Sequence, residues 1–274
     1  MANEHRTVIV TGANRGIGLA TALELARAGF DVVATARDKD KALEIKRSAG
    51  ETGVESRTAV LDVTDEAACR ALIERESPWG LVNNAGYAQT GSMLDVSDEE
   101  ARVQLETLVL GPARLGRLAA KAMLEAGDGG RIVNISSIVA EISSPLLGWY
   151  QAAKKALEGI SDAMRLELEA DGIDVVLVQP GVIQTDIWER AREDADRETR
   201  YSTTTARWQK ATRVLEPYMS SPEAVARTVR RAMEADRPDD RYPVGLDAQV
   251  LSRVARFVPV SVTDAATRAL LGLR

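Results

Sequence analysis

Short apolar, β-branched runs alternate with longer stretches of helical spacing through most of the chain, and that alternation leaves few folds open. Thr7 to Val10, Asp31 to Thr35, Glu55 to Leu61, Trp79 to Asn83, Arg131 to Ile135 and Ile173 to Val178 read as strands, with a further short strand inside residues 238–245. They are nearly unbroken apolar runs, as expected when both faces of a sheet are covered. Between them lie Gly16 to Ala28 (with Ile17, Ala20, Leu23 and Leu25 in helical register), Asp38 to Ala49, Thr64 to Glu76 and Gly148 to Ala170. Ser97 and Glu100 form a capping box that opens another long helix towards Leu124, interrupted near Gly111-Pro112. Strand–helix–strand units with right-handed crossovers give an α/β fold with a doubly wound parallel sheet of about seven strands, in the order 3-2-1-4-5-6-7.

At 274 residues the chain suits one such Rossmann domain over residues 1–274, with no linker, repeat or low-complexity tract. Residues 186–222 break the alternation and are expected to cover a substrate as a lid, and 246–274 form an amphipathic helical tail. The net charge of −6, with both signs interspersed, offers no basic face for nucleic acid. No apolar run approaches the ~18 residues of a transmembrane segment. The polar start, Met1 to Arg6, does not read as a signal peptide, and the lone Cys69 suits a reducing compartment, so the expected location is cytoplasmic. With one histidine, His5, and one cysteine, neither a His/Cys metal site nor a Ser-His-Asp triad away from the terminus can be assembled. Acid–base chemistry would fall to a carboxylate, tyrosine, lysine or thiol.

Three segments carry the chemistry. Thr11-Gly12-Ala13-Asn14-Arg15-Gly16-Ile17-Gly18 follows the first strand and opens a helix. Gly12 permits the turn, Gly16 lets backbone approach a pyrophosphate, and Gly18 lets the helix pack on the sheet, so that its N-terminal amides can receive phosphate. Asn83-Asn84-Ala85-Gly86 follows the fourth strand. Tyr150 and Lys154 sit one helical turn apart, and an ammonium beside a phenol favours the phenolate. Strand two ends in Thr35-Ala36-Arg37-Asp38, so Ala36 stands where an acid would bind the ribose of NAD. Arg37 and Arg15 can clamp a 2′-phosphate instead, which selects NADP(H); Asp38 is a rival ribose partner one step late.

This set resembles the short-chain dehydrogenase/reductase family, over most of residues 6–185, through Thr11 to Gly18, Asp62-Val63, Asn83 to Gly86, Ser137, Tyr150 with Lys154, and Pro180-Gly181 to Thr185. Asn83 to Tyr87 and Arg241 to Gly245 are loosely similar to the bacterial branch of 17β-hydroxysteroid and retinol dehydrogenases. The resemblance implies Ser137, Tyr150 and Lys154 as catalytic residues, the serine thirteen positions before the tyrosine selecting Ser137 over Ser136. It implies adenine contacts at Asp62 and Val63, an adenosine-side wall at Asn84, Ala85 and Gly86 built from backbone, and nicotinamide contacts at Ile183 and Thr185 after the Pro180-Gly181 turn. Lys154 would also hold the nicotinamide ribose. A homodimer or homotetramer is implied, through helices at 97–124 and 148–170. The substrate is expected to be a small hydrophobic carbonyl or alcohol, walled by Gln89, Val139 to Trp149 and Val182 to Trp188.

The sequence departs from the family at Leu108, where an asparagine usually bends the helix and holds a relay water; leucine cannot bond one. Two readings therefore stand: an NADP(H)-dependent oxidoreductase with Tyr150 as proton donor and acceptor, or an NADPH-binding sensor or scaffold with weak or no turnover. A nucleotide-sugar epimerase would show different glycine spacing and a larger C-terminal region.

Overall fold

The computed structural model describes residues 6–185, 189, 191, 193, 198–254 and 257–273. Seven parallel strands, β1 (Thr7–Val10), β2 (Asp31–Ala36), β3 (Arg57–Val60), β4 (Gly80–Asn83), β5 (Gly130–Ile135), β6 (Ile173–Pro180) and β7 (Arg241–Val244), stand in the order β3-β2-β1-β4-β5-β6-β7. The strand order reverses between β1 and β4, and parallel direction puts the carboxyl ends of all seven on one edge. Strand β6 carries on through Pro180, two residues beyond the sequence expectation, because Pro180 pairs at the sheet's end with Val244 of β7.

Helices cover both faces. On one, α1 (Gly16–Arg27), α2 (Lys39–Glu51) and α8 (Pro222–Glu234) bury Leu25, Ile45, Val229 and Met233 against Val8, Val10 and Val32. On the other, α3 (Glu66–Glu76), α5 (Gly111–Ala126) and α6 (Gly148–Leu168) cover Ile9, Leu81 and Ile132 with Leu72, Leu115 and Met123. The helix starts follow the cap chemistry in the sequence. Asp38 accepts from the Lys41 amide at 2.9 Å and Asp65 from the Ala68 amide at 3.0 Å. Ser97 and Glu100 form the reciprocal capping box of α4 (Asp98–Leu105), at 3.2 and 2.8 Å.

Between α4 and α5 the helix widens into a π turn, Glu106–Leu110, in which the Gly111 amide reaches back to the Glu106 carbonyl. Pro112 explains it. Proline has no N–H for the Leu108 carbonyl, and in an unbroken α-helix its ring would strike that oxygen.

After β6 come α7 (Ser202–Leu215), α8, β7, α9 (Leu246–Val254) and α10 (Val260–Leu271). The tail is buried at Ala248 and Leu271, whereas Leu246, Val250, Phe257, Val260 and Leu270 are exposed. Among the described residues no helix is long and apolar enough to cross a membrane.

Two polar devices lock the layers. Asn83 donates to the Asn134 side chain at 2.8 Å and to the Pro112 carbonyl at 3.2 Å, and Asn134 donates to Ser161 of α6 at 2.8 Å. Arg131, buried at the start of β5, donates to the carbonyls of Ala232 (2.5 Å), Met233 (3.2 Å) and Ala235 (2.7 Å) at the end of α8, and to Asp174 at 2.6 Å. Replacing it by leucine strips the donor from those carbonyls. Arg131→Leu is expected to lower the unfolding free energy by about 2–4 kcal/mol, measured by urea titration, with an unchanged slope.

Candidate active site

Three loops meet at the carboxyl edge. Thr11 anchors two of them: its hydroxyl accepts from the amides of Asn84 (2.9 Å) and Ala85 (3.0 Å), and its own amide donates to Val82 at 3.0 Å. In return the Asn84 side chain donates to the carbonyls of Thr11 (2.9 Å) and Gly12 (3.1 Å). Asn84 was expected to meet a cofactor through its backbone; its side chain braces the glycine loop. The packing leaves no room for side chains here. A Cβ on Gly18 would lie 2.2 Å from the Gly12 oxygen, and one on Gly12, itself at φ +63°, would lie 2.7 Å from the Ala85 Cα. The third loop, after Pro180-Gly181, brings the Thr185 methyl to 3.3 Å from where a Gly16 Cβ would stand. Asn14, Arg15 and Ile17 lie in the glycine loop or the first turn of α1, half-buried, with the α1 amides opening towards the crevice.

The ends of β2 and β3 border the same crevice. Arg37 is exposed just past Ala36. Asp38 is taken up: it caps α2 and binds the Lys41 ammonium at 2.5 Å. Asp62 turns its carboxylate onto Thr64, at 2.9 Å to the amide and 2.7 Å to the hydroxyl, and Val63 is buried beside Gly111.

Beyond β5, Ser136 and Ser137 part company. The Ser137 hydroxyl accepts from the Val139 amide at 3.3 Å and bears on the Tyr150 phenol, favouring its ionised form. Ser136 instead donates to Glu158 at 2.6 Å. Burial pushes the Tyr150 phenol up to about 12, opposed by the Ser137 hydroxyl, which lowers it. Lys154 is buried, donates to the Ile135 carbonyl at 2.7 Å, and holds its nitrogen 5.7 Å from the Tyr150 ring centre. Burial pushes its ammonium down to about 8, opposed by the charge of Glu158 one turn on. A positive group arriving beside Tyr150 and Lys154 lowers the phenol's pKa and brings its proton nearer to release at working pH.

Residues 6–196 match the family model described as short chain dehydrogenase. The chain belongs to the short-chain dehydrogenase family. It is 35% identical over 261 residues to the uncharacterized oxidoreductase YbbO of Escherichia coli (strain K12), covering 94% of this chain and 93% of the relative. It is 32% identical over 271 residues to the NADPH-dependent 3-dehydrocapnine reductase of Ornithobacterium rhinotracheale, covering 94% and 95%. A metagenomic short-chain oxidoreductase solved in complex with NADP superimposes with a TM-score of 0.70 at 26% identity, over 89% of this chain and 98% of that one. The chain is thus of an oxidoreductase family, and the seven-stranded sheet is that family's fold.

Several neighbours of this short-chain dehydrogenase site escaped the sequence reading. Glu158, buried beneath Lys154, accepts from Ser136 and from Gln179 at 3.0 Å; its i+8 spacing from Tyr150 was the available signal. Trp208 of α7 is buried with Val139, Leu146, Leu147, Ala191 and Leu271 in an apolar cluster against which Tyr150 packs. Of the tryptophans expected as walls, Trp149 is only half-buried and Trp188 lies outside the described residues. Leu108 is fully buried, its Cδ2 2.5 Å from where a Gly86 Cβ would stand, and it packs with Val109 and Ala153 beside Tyr150. Thr107 bonds the Val103 carbonyl at 2.8 Å and supplies no replacement for the missing amide.

The displaced ammonium has a pH signature. Unfolding returns Lys154 from about 8 towards its ordinary 10.5, so between those values the unfolded chain binds the extra proton and Lys154's contribution to stability rises with pH. Tyr150 acts oppositely above pH 10, where the folded phenol keeps a proton that the unfolded chain loses. The unfolding free energy of wild type minus that of Lys154→Met, from urea titrations of cofactor-free protein at pH 7, 8.5 and 10, is expected to increase with pH; a flat difference contradicts it.

Proposed function

We propose that the chain is an NADP(H)-dependent oxidoreductase, interconverting a hydrophobic carbonyl compound and its alcohol. The buried Lys154, held 5.7 Å from the Tyr150 ring one helical turn away, with Ser137 bearing on the phenol, carries this reading. NADPH bound in the crevice supplies the hydride. Gly12, Asn14, Gly16, Ile17 and Gly18 offer the pyrophosphate a cradle whose close backbone approaches leave space for the phosphates alone. Arg15 and Arg37 hold the 2′-phosphate, and Asp38, committed to α2 and Lys41, does not compete for the ribose. NADPH in the name of the Ornithobacterium relative and NADP in the metagenomic enzyme support the choice. Asp62 and Val63 line the adenine side with Ala85 and Gly86, and Pro180, Gly181, Ile183 and Thr185 hold the nicotinamide end.

In reduction, Ser137 hydrogen-bonds the carbonyl oxygen and Tyr150 gives it a proton. The Lys154 ammonium stabilises the phenolate left behind. In oxidation the same groups run in reverse. The cluster of Val139, Leu146, Leu147, Trp208 and Leu271 beside Tyr150 supports an apolar substrate. Exposed Val103, Leu110, Leu124 and Leu166, on α4, the π turn, α5 and α6, favour a homodimer or homotetramer.

Leu108 favours a second reading: an NADPH-binding sensor or scaffold, since the site's back wall is apolar where a relay water would sit. NADPH consumption with a panel of aldehydes, ketones and quinones separates the two. Turnover is expected, and binding without turnover favours the sensor. Tyr150→Phe is expected to lower kcat at least about a thousandfold with NADPH affinity within about threefold of wild type, read by steady-state kinetics and fluorescence titration. Arg37→Ala is expected to weaken NADPH roughly tenfold and leave NADH affinity unchanged.

A further inference from the structure

The loop after β6 is held by a residue far along the chain and beyond residues 6–196 of the family match. Asp247, in the first turn of α9, accepts the Val182 amide on Oδ2 at 2.7 Å. Its carboxylate fills a slot between two glycines. A Cβ on Gly181 would lie 2.2 Å from both carboxylate oxygens, and one on Gly245, at φ +100°, would lie 2.4 Å from Oδ1. The Gly181 amide is tied to the Val244 carbonyl at 2.9 Å. On the other side of the turn the Ser220 amide donates to Val182 at 3.0 Å and the Gln184 amide donates to Ser220 at 2.9 Å. The Pro180–Gln184 turn is therefore clamped from β7, from the residue before Ser221-Pro222, and from α9, where Asp247 does it with a charged side chain.

We propose that Asp247 is a positioning residue for the nicotinamide half of the dinucleotide, fixing the turn that carries Ile183 and Thr185 over Gly16. The proposal rests on the NADP(H) reading. A charge-assisted bond to one amide sets where the next three residues lie, and a small displacement at a binding loop has a large effect on the group it holds. The carboxylate also sits at the N-terminal end of α9, where the helix favours negative charge.

The test compares wild type, Asp247→Ala and Asp247→Asn in two fluorescence or calorimetric titrations, one with NADPH and one with 2′,5′-ADP, which carries the adenosine end and no nicotinamide. Asp247→Ala is expected to weaken NADPH about tenfold and to leave 2′,5′-ADP unchanged. Asp247→Asn, which keeps an acceptor for the Val182 amide, is expected to recover NADPH affinity to within about threefold. Unchanged NADPH affinity in Asp247→Ala, or equal loss of both ligands, overturns the assignment. Wild type that binds 2′,5′-ADP and not NADPH, or neither, sinks the NADP(H) reading itself, so the two failures are distinguishable.

Discussion

The site depends on the latch between Thr11 and Asn84. One hydroxyl accepts two amides of the neighbouring loop, and one carboxamide returns two bonds to the carbonyls of the first. These bonds draw the loops after β1 and β4 so close that glycine is the only residue with room at positions 12 and 18. The latch lies where the strand order reverses, so the crevice opens beside the first turn of α1 and its free amides. Everything proposed for the cofactor follows from that approach.

Across the crevice a different physics governs. Tyr150 and Lys154 are held on α6, which is tied through Ser161, Asn134 and Asn83 to Pro112 at the start of α5. Burial pushes the phenol and the ammonium towards their neutral forms, in opposite directions on the pH scale. Glu158 beneath them restores part of the ammonium's charge preference. Desolvation thus poises the pair, and any charge brought alongside moves both.

Much of this was legible in the chain. The capping box of Ser97 and Glu100 starts a helix where it stands, because the cap bond is local. The interruption at Gly111-Pro112 was readable too, although its form, a π turn, depends on where the following helix packs. Less legible were side chains whose partners lie far along the sequence. Asn84 faces back onto the glycine loop, Trp208 joins the apolar cluster beside Tyr150, and the tail leaves most of its described apolar residues exposed.

By itself the sequence determined the alternation, the strand count, the glycine cradle and the one-turn spacing of Tyr150 and Lys154, since periodicity, turn chemistry and helical geometry act over a few residues. Tertiary structure alone decided that Ser136 turns its hydroxyl onto Glu158 and that Asp247 grips an amide 65 positions earlier. Those outcomes depend on how sheet and helices close in space. A hydrogen bond between distant residues leaves no spacing in the chain from which it can be read.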